Sequence, residues 1–84
     1  MSLHLVFSQS GWLSCEVMRA PEDPVVFIGD GAYSARHKIS GNVFVIAQDL
    51  AIRGIHAGAD IQPVDYPDLV TLCTQHAPIV SWNG

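Results

Sequence analysis

Two cysteines, Cys15 and Cys73, are the residues best able to do covalent chemistry. They lie far apart and without metal-ligand spacing, so in a reducing compartment both are expected as free thiols. A helix expected from about Trp12 to Ala20 gathers Leu13, Val17 and Ala20 on one arc, the natural core face. Trp12, Cys15 and Arg19 then share the outward face. Cys15 would lie near the positive end of that helix and one turn before Arg19, and both features favour a thiolate, while neighbouring Glu16 opposes it. A thiolate so placed could attack a sulfane sulfur. Two readings stay open for it, a reactive thiol or a passive surface cysteine. Cys73, on the apolar face of the last helix, is expected to be a buried and inert hydrophobe.

The remaining polar groups read as structural. His4, His37, His56 and His76 are scattered, with no i, i+4 pair and no neighbouring ligand pattern, so no metal is expected. His4 falls in a strand and reads as a hydrogen-bonded core histidine. Asp49 and Asp65 each stand between an apolar strand and a helix, where a carboxylate caps amides and complements the helix dipole. Gly29-Asp30-Gly31 reads as a strand exit, with glycine supplying positive φ and Asp30 accepting from amides. Neither it nor Gly54 with Gly58 has the spacing of a dinucleotide fingerprint or a P-loop, so no cofactor is expected.

The elements that must position these groups alternate. Leu3 to Phe7 reads as a first strand, with Ser10 as the N-cap of the first helix and Pro21 ending it. Val25-Val26-Phe27-Ile28 is an uninterrupted apolar run, as expected of a central strand covered on both faces. A short helix is expected near Ala32–His37, a further strand at Val43–Ala47, and a helix at Gln48–Gly54 with Gly54 as C-cap. Ile61–Val64 is a weaker strand, placed at an edge or only partly paired because Pro63 lacks an amide hydrogen. The longest helix runs from Asp65 to about Ala77 with Tyr66, Leu69, Val70, Cys73 and Ala77 on one face, and Ile79–Trp82 follows as an apolar tail. The pattern implies one α/β domain over residues 1–84, three-layered, with a mainly parallel sheet of about four strands and helices on both faces.

Composition narrows function. The 84 residues are 49% hydrophobic and 14% charged, apolar for so small a domain, so part of the surplus is expected in a subunit interface, including a homo-oligomer if the chain is isolated. A formal net charge of −4 with only four Lys and Arg argues against direct nucleic-acid binding. No signal peptide or membrane span is readable, and a soluble cytoplasmic protein is expected.

In order and spacing, several short stretches resemble the DsrH/TusB family: Leu3-His4, Asp30-Gly31-Ala32-Tyr33, Asp49-Leu50-Ala51-Ile52-Arg53-Gly54, Val64-Asp65-Tyr66, then Thr74, His76 and the terminal Ser81-Trp82. The resemblance implies a parallel α/β fold and assembly with DsrE/TusD-like and DsrF/TusC-like subunits. It also implies sulfur relay by cysteine persulfide, either to tRNA wobble 2-thiouridine or in sulfur oxidation. DsrH-type members carry a cysteine in the first helix, and Cys15 stands at the matching place as the catalytic candidate. TusB-type members generally lack it and act as structural subunits, which is the alternative reading here.

Overall fold

The computed structural model describes residues 1–84. Five strands, β1 (Leu3–Val6), β2 (Val25–Phe27), β3 (Val43–Ile46), β4 (Ile61–Val64) and β5 (Ile79–Trp82), form one sheet in the order β4-β3-β2-β1-β5. Every pairing is parallel. The apolar tail is therefore a fifth strand, one more than the alternating pattern implies, and its exposed-intermediate alternation marks it as a half-covered edge. Pro63 lies in β4 at the opposite edge, where a missing amide hydrogen leaves no interior ladder bond unmade.

Two unequal layers cover the sheet. Helices α1 (Gln9–Met18) and α2 (Ala47–Arg53), with a 3₁₀ segment at Gly29–Arg36 between them in sequence, close the larger core around Val6, Val25, Phe27, Val43 and Val45. Helix α3 (Tyr66–Gln75) alone covers the other face, packing Leu69, Leu72 and Cys73 against Leu3, Val26, Ile46 and Val64. Central β2 is buried along its whole length, as its unbroken apolar run requires.

Chain direction at the helix ends follows local chemistry. Ser8, not Ser10, is the N-cap of α1, and its side chain accepts from the Gly11 amide at 2.9 Å. Asp65 caps α3 in a reciprocal capping box with Asp68. Gly54 ends α2 in the left-handed region at φ 63°, as a glycine C-cap does.

Helix faces depart from the sequence expectation. In α1 the buried residues are Gly11, Trp12 and Cys15, while Leu13 is 64% and Val17 81% exposed, so the core face is the reverse of the expected one. Both stripes are apolar, and the packing against β5 selects between them. A side chain at Gly11 would strike the Trp82 carbonyl oxygen, so that face alone can approach closely. Trp12 accordingly lies inside, edge-on to Phe27 with ring centroids 5.2 Å apart. On α3, Leu69 and Cys73 face the sheet as expected, but Tyr66 and Val70 are exposed, and no residue of the helix is fully buried. Cys73 is consequently half-buried, not sealed.

Candidate functional site

All strands run the same way, so their carboxyl ends share one rim of the sheet, the usual place for sites in open α/β folds. Four stretches meet there: Ser8–Ser10 after β1, Gly29–Tyr33 after β2, Asp49 in the first turn of α2, and Arg53 in its last. An open cavity of about 580 Å³ lies between Ser8, Gln9, Ser10, Asp30 and Tyr33.

Arg53 organises this rim. Its Nη2 donates to Asp30 Oδ1 at 2.9 Å and its Nη1 reaches Asp49 Oδ1 at 3.4 Å, while the guanidinium carbon stands 5.8 Å from the Tyr33 ring centroid. The bond from Asp30 raises the Arg53 pKa above its already high ordinary value. Asp49, nearly buried, accepts from the Gly29 amide at 2.8 Å. It therefore caps the turn after β2 and not its own helix, and Asp30 binds a side chain in place of the amides first expected. The two stretches Asp30–Tyr33 and Asp49–Gly54 thus form one ion-paired staple across neighbouring strand exits. Arg53 and Asp49 are an i, i+4 pair, but neither spacing nor periodicity reveals the link to Asp30, which stands 23 residues from Arg53.

Gly29 and Gly31 serve different needs in that turn. Gly29 takes φ 58°, which favours glycine, whereas Gly31 lies against β1 so tightly that a Cβ would fall onto the Val6 carbonyl oxygen.

A second polar cluster joins the last residue of β5 to β1 and to the turn before β2. The indole Nε1 of Trp82 donates to His4 Nδ1 at 3.0 Å, and an indole nitrogen can only donate. His4 Nδ1 is therefore unprotonated, and Nε2 carries the hydrogen given to Asp23 Oδ2, also at 3.0 Å. Asp23 further accepts from the Ala20 and Ser2 amides. The structural role expected for His4 is thus realised, with β5, β1 and the turn before β2 joined through one buried ring.

Asp23 gives this cluster an acid limit. The His4 bond, aided by the Ala20 and Ser2 amides against the cost of burial, holds its carboxyl below the ordinary carboxylate range. A lowered folded-state pKa stabilises above the unfolded value of about 4 and is lost as pH falls through the folded value. The urea midpoint is expected to drop on acidification from about pH 4. Asp65, exposed and also lowered, acts in the same direction, so Asp23→Asn isolates the inner term. A pH profile of Asp23→Asn that overlays the wild type would refute the assignment.

Cys15 lies apart from both clusters. Its side chain is 0% exposed, under α1 and among the larger core residues, and burial raises the thiol pKa from 9.0 to about 11, with Arg19 pulling the other way and Asp23 and Glu16 adding to the rise. The outward, acidic thiol expected from the helical pattern is thus corrected on both counts, by the reversed face of α1. Arg19 is itself occupied, donating to the carbonyls of Asp23 at 3.0 Å and Ser40 at 3.3 Å. No group of three or more His, Cys, Asp or Glu is arranged to hold a metal ion, and no helix is long and apolar enough to cross a membrane.

The fold and its stapled rim define a small, all-parallel α/β domain with unequal helix layers. Within that class, the chain matches the family model described as DsrH like protein over residues 7–79. The chain belongs to that family. Members normally act in a complex with other subunits, and membership is consistent with a sulfur relay subunit. None of the curated proteins compared matches the chain.

Proposed function

We propose that this chain is a subunit of an intracellular sulfur relay complex, serving tRNA wobble 2-thiouridine synthesis or sulfur oxidation, and that its own part is structural. It holds DsrE/TusD-like and DsrF/TusC-like subunits in place while a partner carries the persulfide. The observation behind the structural assignment is the complete burial of the only first-helix cysteine. Family membership supports the relay, and the exposed apolar residues Leu13, Val17, Met18, Ile52 and Val70 support assembly.

The second reading makes Cys15 the sulfur carrier, and the opposing pull of Arg19 on its pKa favours it. In that step the Cys15 thiolate attacks the donor's sulfane sulfur, forming a Cys15 Sγ–S bond as the donor's own thiolate leaves. The thiol's proton goes to solvent, and no net oxidant is consumed. Without exposed surface, Cys15 can do this only after α1 shifts. Co-expression with the two partner subunits, followed by exposure to inorganic polysulfide and peptide mass spectrometry, separates the readings. The expected result is a co-purifying complex with no added sulfur on Cys15. Added sulfur on Cys15 would establish the carrier role instead, and absence of a complex would end the relay proposal.

A further inference from the structure

The chain's few cations are not spread evenly. Of the four Lys and Arg in a chain of net charge −4, Arg36 and Lys38 line one groove and Arg19 lines its continuation. The groove, of about 370 Å³, runs between α1 and the segment Arg36–Ser40 and continues into a second hollow of about 330 Å³ that shares Trp12, Glu16, Lys38 and Ile39 with it.

Its walls are built, not accidental. Ile39 is buried at 8% exposure and roots the segment in the core. Arg19 clamps the far end by donating to the Ser40 carbonyl from both Nη1 and Nη2, each at 3.3 Å. No carboxylate of the chain neutralises the groove: none of the three ion pairs uses Arg36 or Lys38, and Arg36 spends only its Nε, donating to the Tyr33 carbonyl at 2.9 Å. On the α1 side, exposed Leu13 lines the groove and exposed Val17 extends the apolar strip by one turn.

We propose that this groove is the docking site for an acidic segment of a partner protein, one that presents carboxylates to Arg36 and Lys38 and sets an apolar side chain against Leu13 and Trp12. Charge and apolarity decide the occupant together. A nucleic-acid backbone would find two or three cations in a chain that otherwise repels it, with Glu16 on the groove wall. A short peptide segment gains from both walls, the carboxylates from Arg36 and Lys38 and the anchor from the strip on α1. The inference rests on the reading of the chain as a subunit of a larger complex and names the surface that the complex uses.

The test uses the full chain co-expressed with the DsrE- and DsrF-like subunits. Arg36→Glu/Lys38→Glu and Leu13→Asp alter exposed side chains, and circular dichroism melts check that both fold. Each is expected to weaken association at least tenfold in a titration of the purified subunits, while Gln75→Glu, an exposed position at the end of α3 on the opposite face, leaves it unchanged. Wild-type affinity should also fall as salt is raised from about 0.1 to 0.5 M. If the wild type assembles and the groove variants assemble equally well, the docking site is overturned and the subunit reading stands. Failure of the wild type to associate with either partner overturns both. If the groove variants lose affinity for tRNA, or for a second copy of this chain, but not for the partner subunits, the groove serves that other occupant and the proposal fails.

Discussion

Gly31→Ala is expected to destabilise the domain by about 3 kcal/mol or more, a large share of the roughly 4–13 kcal/mol available to a chain of this size. The added Cβ would strike the Val6 carbonyl oxygen and come within 2.9 Å of its carbon. Both parties are backbone, so neither can rotate away. Relief requires β1 and the 3₁₀ segment to separate, which would loosen the ladder bond from the Ile28 amide to the Val6 carbonyl. Gly29→Ala supplies the control. Its φ of 58° makes alanine strained, but nothing lies within 4 Å of a new Cβ, so a cost of about 1 kcal/mol is expected. Urea denaturation of the two variants checks the contrast, and equal midpoints would mean that the close approach to β1 carries no weight.

Native alkylation is expected to reverse the order that helix position alone implies: Cys73 labels first, and Cys15 at least about 100-fold more slowly than a free cysteine. Raising the pKa from 9.0 to about 11 removes about two powers of ten of thiolate, and complete burial slows reagent access further. Half-buried Cys73, under α3 at the thinner face, opens more readily. Cys15→Ser should cost about 1–3 kcal/mol, because a hydroxyl replaces a thiol in an apolar site, while Cys73→Ser costs less than about 1 kcal/mol. Timed iodoacetamide labelling with peptide mass spectrometry reads the order. Rapid labelling of Cys15 in the isolated chain would show that α1 opens in solution and would revive its candidacy as the sulfur carrier.

These expectations bear on the proposed role of the chain as a subunit. The thiol of Cys15 is buried, the rim is held by Arg53, and the cations of the groove have no carboxylate partner in the chain. The thin layer formed by α3 leaves Val70 and Tyr66 exposed, and the outer face of α1 leaves Leu13 and Val17 exposed, so apolar area remains on both sides of the sheet. Burying one such side chain contributes about 1.5–3 kcal/mol, enough for a few contacts to hold a partner once charge has oriented it.

Local signals in the residue order are enough for the alternating elements, the central position of β2, the restricted pairing that Pro63 imposes on β4, Asp65 as the cap of α3 and the glycine end of α2. Each depends on neighbours within a few residues, and the physics of apolar periodicity, capping and missing amide hydrogens acts at that range. The order and spacing of the short stretches from Leu3-His4 to Ser81-Trp82 likewise carry the family resemblance, which the family match over residues 7–79 supports. The tertiary packing was needed for everything that compares two apolar faces or joins distant groups. Helix α1 has two plausible core stripes, and only the approach of Gly11 to the Trp82 carbonyl chooses between them, turning Cys15 inward. The Trp82–His4–Asp23 chain spans nearly the whole sequence, and the basic groove exists only because the segment after the 3₁₀ helix folds back along α1. Long-range contacts of this kind leave no periodic trace in the residue order, since their partners meet only after the sheet has closed around β2.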